Sequence, residues 1–168
     1  MMNIKKFLIG GIFFITANMV HALTLDQAVN QYKNKQLRGI NAENIAEAKK
    51  AGDDEPYIYE ANTRQMIKAD LNGDGVLDYV VPINYCEKTN CHLTTHVNEV
   101  AVFLGQKNKQ VKFFDSISAA YQPDIKITKN NTIQVVDREY GDNDPSCCPS
   151  VKETRTYKIV KGELLRVH

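Results

Sequence analysis

From Tyr57 onward the chain is a succession of short runs rich in Val, Ile, Tyr and Phe, broken by Gly, Pro, Asn and Asp. Runs of that kind read as strands. They fall at the Tyr/Ile run near Tyr57, the Met/Ile run near Met66, and at Tyr79–Tyr85, Val100–Leu104, Val111–Phe114, Asp124–Thr128, Thr132–Val136, Glu153–Val160 and Glu163–Val167. Asn130-Asn131 and Lys161-Gly162 stand where two-residue hairpin turns stand, and such turns join antiparallel neighbours. Ile125/Ile127 and Ile133/Val135 alternate with polar residues, so one sheet face is expected buried and the other wet. A meandering antiparallel sheet follows, with no internal repeat and no long linker.

The stretch before Pro56 is helical in pattern. Thr24 with Gln27 three places on is a capping box, and Leu25, Ala28, Val29, Tyr32 and Gln36 trace one face. Gly39 is placed to end that helix. A second one then starts at Asn41, carries Lys49 and Lys50 at its negative end, and stops at Gly52. The fold class is therefore α+β: an N-terminal helix or two helices packed on the sheet.

Ahead of this lies MMNIKKFLIGGIFFITANMVHA, with Lys5 and Lys6, an apolar run from Phe7 to about Thr16, and Val20-His21-Ala22. That is the layout of a secretory signal over residues 1–22, and the run is too short for a membrane span, which needs ~20 residues. Residues 23–168 are then a single exported domain with no membrane span, periplasmic or secreted. The signal takes two of the 21 basic residues and no acid, leaving 19 bases against 20 acids. Such a balance points to neither nucleic acid nor an anionic membrane surface.

The loop DLNGDGVLD, Asp70 to Asp78, enters a strand directly. Calcium takes six to eight oxygens, and a short loop supplies them when acids and amides recur at alternate positions. Here those are Asp70, Asn72, Asp74 and Asp78, with the Val76 carbonyl between and Gly75 at the sharp turn. An EF-hand would carry Glu at the twelfth place, which is Val81. The loop resembles instead the D-x-N-x-D-G-x-x-D loops of the FG-GAP type, which implies calcium at those five residues. It does not imply a propeller, which needs at least four blades.

All four cysteines, Cys86, Cys91, Cys147 and Cys148, lie beyond the signal, and an even count in an exported chain reads as disulfides. Three pairings are open. Cys86–Cys91 with a vicinal Cys147–Cys148 bond would staple the mouth of a hairpin. Cross-pairing would close loops of ~60 residues, with a larger effect on the unfolded chain. The first is the pairing favoured. Cys91, His92 and His96 could together suit zinc or copper; in an oxidising compartment the thiols are expected to be bonded instead, and the histidines are then loop residues. Asp142 and Asp144 in GDNDP read as a solvated turn in preference to a second ion site.

DPSCCPS followed by TRTYKI resembles the ending of small bacterial envelope proteins, including the LppP/LprE-type lipoproteins, whose members also place an aspartate-rich strand entry upstream. The resemblance implies an envelope location; the chain departs from it in having no lipid-attachment cysteine. These residues describe a calcium-stabilised, disulfide-containing, non-enzymatic binding protein of the cell envelope. The alternatives are an inhibitor or immunity protein against an envelope hydrolase, or an enzyme using Cys147–Cys148 for thiol redox or a metal for hydrolysis. The partner is unknown.

Overall fold

The computed structural model describes residues 23–89, 91, 96–120, 123–146 and 148–167, so the expected signal at 1–22 lies outside the described residues. One helix, α1 (Leu25–Ala51), is followed by nine strands. These are β1 (Tyr59–Thr63), β2 (Ile67–Ala69), β3 (Asp78–Glu87), β4 (His96–Gly105), β5 (Val111–Ala119), β6 (Asp124–Ile127), β7 (Ile133–Glu139), β8 (Val151–Val160) and β9 (Glu163–Arg166). All pairings are antiparallel, and the α+β class stands. The single expected sheet is in fact two. One runs β1-β3-β4-β5 with β2 also on β3, and the other runs β6-β7-β8-β9.

The layers are helix, first sheet, second sheet. Val81, Ile83, Tyr85, Ala101, Phe103 and Val111 form one buried cluster with Ala28, Val29 and Tyr32 of α1. Val80, Val100, Val102 and Ile117 face the other way and pack with Ile133 and Val135 of the second sheet. The first sheet is therefore covered on both faces, which is why β3 and β4 read as nearly continuous apolar runs. Burial on one face only holds for the second sheet. A bulge between Val102 and Phe103 admits one extra residue in β5, so that Phe114 and Ile117, at odd spacing, both face the second sheet.

Pro82 sits within β3 and explains a break in its neighbour. Its carbonyl accepts from the Arg64 N–H at 3.0 Å, so its missing N–H lies on the side of β1 and β2. A continuous neighbour would leave a carbonyl unpaired there. The chain breaks between Thr63 and Ile67 at that place, giving two short strands where one would otherwise run.

Thr24 caps α1 as a reciprocal box with Gln27. Gly39 does not end the helix. It carries no left-handed backbone, and the helix continues to Gly52, whose φ of 76° terminates it. Leu37 and Ile40 on either side of Gly39 pack against the same buried cluster, and that packing outweighs the ~1 kcal/mol that glycine costs inside a helix. Asn41 is thus not a cap. Its side chain donates to the Tyr59 carbonyl at 3.2 Å and accepts from the Tyr59 N–H at 2.7 Å, and Asn44 donates to the Tyr57 carbonyl at 3.1 Å. Two asparagines one turn apart act as a surrogate strand along the outer edge of β1, blunting an edge open to other chains. Asn41→Ala should lower stability by about 1 kcal/mol. It should also speed amide exchange at Tyr59 measured by NMR; unchanged protection there would mean the edge is held by something else.

The Lys161-Gly162 hairpin is a two-residue turn with φ of 52° and 81°. The expected Asn130-Asn131 turn is longer by one residue: the Thr128 N–H donates to the Thr132 carbonyl at 3.0 Å, enclosing three residues with Asn131 at φ 56°. Among the described residues no helix is long and apolar enough to cross a membrane.

Candidate functional site

The Asp70–Asp78 loop is the turn of the β2–β3 hairpin, closed by the pairing of Ala69 with Asp78. Gly73 and Gly75 adopt φ of 78° and 81°, which turns successive N–H groups inward. Asp70 is their hub. Its Oδ1 accepts from Gly73 N at 2.8 Å and Asp74 N at 3.1 Å, and its Oδ2 accepts from Gly75 N at 2.9 Å. Asn72 donates from Nδ2 to Asp74 Oδ2 at 3.0 Å, and Asp74 Oδ1 accepts from Val76 N at 2.8 Å. Asp70, half-buried, and the exposed Asn72 and Asp74 are held in one ring.

Asp78 is placed differently. It is wholly buried, with Oδ2 accepting from Leu71 N at 2.9 Å and Oδ1 from Gly105 N at 3.0 Å. Leu71 is itself anchored between the two sheets. Asp78 therefore ties the loop to the end of β4. Burial is the main cause that pushes its carboxyl above the usual range; the two N–H donors oppose the rise and the Asp74 charge adds to it. Gly105 is obligatory, because a Cβ there would collide with the Leu77 carbonyl oxygen.

The loop fits a hard cation in donor chemistry. Every side chain offered is an oxygen donor, each carboxylate oxygen that accepts one N–H retains a further lone pair, and no Lys or Arg pairs with these acids among the described residues. The carboxylates are turned to backbone N–H groups, and no group of three His, Cys, Asp or Glu forms a ready metal cage among the described residues. Val76 enters the ring through its N–H, to Asp74.

Cys86 and Cys91 are disulfide-bonded, with Cα atoms 5.3 Å apart. Cys86 is buried and pairs in register with His96, so the bond does not join the two strands but ties Cys91, in the β3–β4 connection, back to the end of β3. Neither thiol remains for metal or nucleophile while it holds. Cys148 is also disulfide-bonded, whereas Cys147, its expected partner, lies outside the described residues. So do His92 and the side chain of His96. Asp144 braces its own turn, accepting from Gly141 N and Ser150 N at 2.7 Å each, and these bonds hold its carboxyl below the usual range.

Two polar clusters were not anticipated. Glu99 of β4 accepts from Tyr32 of α1 at 2.8 Å and from Tyr85 of β3 at 2.5 Å. Burial, helped by Glu99, pushes the Tyr32 phenol up to about 12 and Tyr85 higher still, so both stay protonated and donating at neutral pH. The cluster bolts helix to sheet. The second is Asp137 of β7 with Arg155 of β8, an ion pair buried at the Asp137 end. Arg155 also donates to the Ser118 carbonyl at 2.8 Å, and Asp137 accepts from Ala120 N at 3.2 Å, so the pair stitches the end of β5 to the second sheet. The signal available in the sequence was an acid set directly against apolar neighbours, Glu99 in VNEVAVFL and Asp137 after Val135-Val136.

Comparison with protein-family models, curated proteins and solved structures found no match to this chain.

Proposed function

We propose that the protein is an exported, non-catalytic binding domain of the bacterial envelope, and that its Asp70 loop takes calcium as a structural ion. The observation that carries this reading is electrostatic. Three carboxylates lie within nine residues, one of them wholly buried, and none is paired with Lys or Arg among the described residues. Calcium would supply the missing positive charge, held by Asp70, Asn72, Asp74 and the Val76 carbonyl, with Asp78 both bracing and completing the oxygen set. Support for a non-catalytic role comes from the other acids. Asp137, Asp144 and Glu99 are each engaged by structural donors. The export reading rests on residues 1–22, the disulfide and the resemblance to LppP/LprE-type envelope proteins.

The missing twelfth-position Glu sets an expected Kd of ~10⁻⁴ M, in the range of extracellular modules. At ~1 mM free calcium, linkage adds about 1.4 kcal/mol, a melting shift of roughly 3–6 °C for a domain of this size. Asp74→Ala should abolish most of the shift and change little in EDTA, since Asp74 is exposed. Magnesium should substitute poorly. Melting curves of both proteins in calcium and in EDTA test this; a wild type that melts equally in both buffers ends the calcium reading.

A further inference from the structure

The sequence holds four cysteines, and Cys86 is bonded to Cys91. Cys148 is disulfide-bonded too, and among the described residues no cysteine is free. Within one chain that count leaves Cys148 a single partner, its neighbour Cys147. The two bonds differ in setting. Cys86 is wholly buried, and its Cα lies 5.3 Å from that of Cys91, inside the range of ordinary disulfides. Cys148 is exposed. Adjacent Cα atoms are at most about 3.8 Å apart, below that range, and a disulfide forced outside it is strained and more easily reduced. A bond between neighbours also closes no loop of chain, so it takes little freedom from the unfolded state.

The turn around Cys148 is held without sulfur. Asp144 accepts from Gly141 N–H and Ser150 N–H at 2.7 Å each, so one carboxylate ties the two ends of the turn together. The Tyr140 hydroxyl donates to the Ser146 carbonyl at 2.6 Å, and the Cys148 N–H donates to the Pro145 carbonyl at 2.9 Å. Pro149, next in the chain, is buried.

We propose that Cys147–Cys148 is a reversible two-electron redox site that a dithiol reduces without disturbing the fold, while Cys86–Cys91 is the structural disulfide. A thiolate of the reductant attacks Sγ of the exposed Cys148; the S–S bond breaks, and Cys147 leaves as a thiolate and takes up a proton. The second thiol of the reductant then displaces Cys148 from the mixed disulfide, giving a Cys148 thiol and the oxidised, cyclic form of the reductant. Strained or exposed disulfides are the labile, regulatory class, and structural ones resist reduction. The Asp144 brace supplies what such a site needs, a turn whose ends stay in place in both redox states. The protein is the substrate of this exchange, in keeping with the non-catalytic role proposed above, and no residue of the Asp70 loop takes part.

The test is equilibration of the native protein in dithiothreitol redox buffers of rising reduced-to-oxidised ratio, followed by acid quench, alkylation and peptide mass mapping. Two thiols per chain are expected first, at Cys147 and Cys148, at a ratio about a hundredfold or more below the one that opens Cys86–Cys91. The protein with only this bond open should melt within about 2 °C of the oxidised form, as should the double variant Cys147→Ser/Cys148→Ser. The double variant should release no thiol over the same range, and oxidised glutathione should close the bond again in the wild type. Opening of both bonds together, first opening at Cys86 and Cys91, or unfolding on release of the first two thiols overturns the proposal. A peptide map of the unreduced protein that joins Cys148 to anything but Cys147 overturns it too.

Discussion

Asp78→Ala should lower the unfolding free energy by about 3 kcal/mol, and should do so in EDTA as much as in calcium. Two buried backbone donors, Leu71 N–H and Gly105 N–H, bond to this one carboxylate. Truncation leaves both without a partner in a place from which water is excluded, and an unsatisfied buried donor costs ~1–3 kcal/mol. The void is enclosed by Leu71 on one side and the tight Leu77–Gly105 approach on the other, so the backbone has little freedom to re-pair. Asp78→Asn should cost less, because its amide oxygen still accepts one N–H while its NH2 is directed at the other. The contrast with Asp74→Ala is the informative part. Both remove a proposed calcium oxygen, but Asp74 is exposed and Asp78 braces the fold. Urea unfolding in EDTA reads the difference: a loss below ~1 kcal/mol for Asp78→Ala would mean the two N–H groups find other acceptors, and that Asp78 matters only through an ion.

Local chemistry was legible in the sequence and long-range chemistry was not. The Thr24–Gln27 box, the Lys161-Gly162 turn, the Asp70 hairpin loop and the Cys86–Cys91 staple each depend on residues a few positions apart, and each forms. Their physics is complete within one segment. The Gly39 break failed because Leu37 and Ile40 answer to strands far along the chain. Asn41 looked like a cap for the same reason: its amide fits that role locally, and only the arrival of Tyr59 assigns it to a strand edge. The alternation at Ile125 to Val135 is that of a half-wet surface, which predicts a single sheet. The half-wet surface is that of the second sheet, while the apolar continuity of β3 and β4 was the trace of a middle layer. Within the candidate site, the acid positions were legible, but the separation of buried Asp78 from the ring of Asp70, Asn72 and Asp74 was not. It depends on Gly105, a residue whose role appears only once β4 lies beside the loop.

Arg155→Met should be the more damaging of the second pair of variants, at about 3–5 kcal/mol, because it strands a buried carboxylate. Asp137 is 1% exposed, and Arg155 is the cation paired with it among the described residues. Arg155 is also the donor to the Ser118 carbonyl, at the point where the chain leaves the first sheet for the second. Its Nε is buried without a hydrogen bond, 3.9 Å from Glu153 Oε2, so the pair is not ideally solvated even when intact. A buried ion pair of that quality contributes little net stability over a neutral filling, yet breaking it from one side is costly, since the desolvation of the remaining charge is then uncompensated. The double variant Asp137→Asn/Arg155→Met removes both charges and keeps an acceptor for Ala120 N–H. It should therefore be more stable than Arg155→Met alone, despite carrying one more substitution. Urea denaturation of the wild type, the two single variants and the double variant gives the coupling directly. Additive losses would show that Asp137 and Arg155 act independently, and the join between the two sheets would then rest on the apolar contacts of Ile117, Ile133 and Val135.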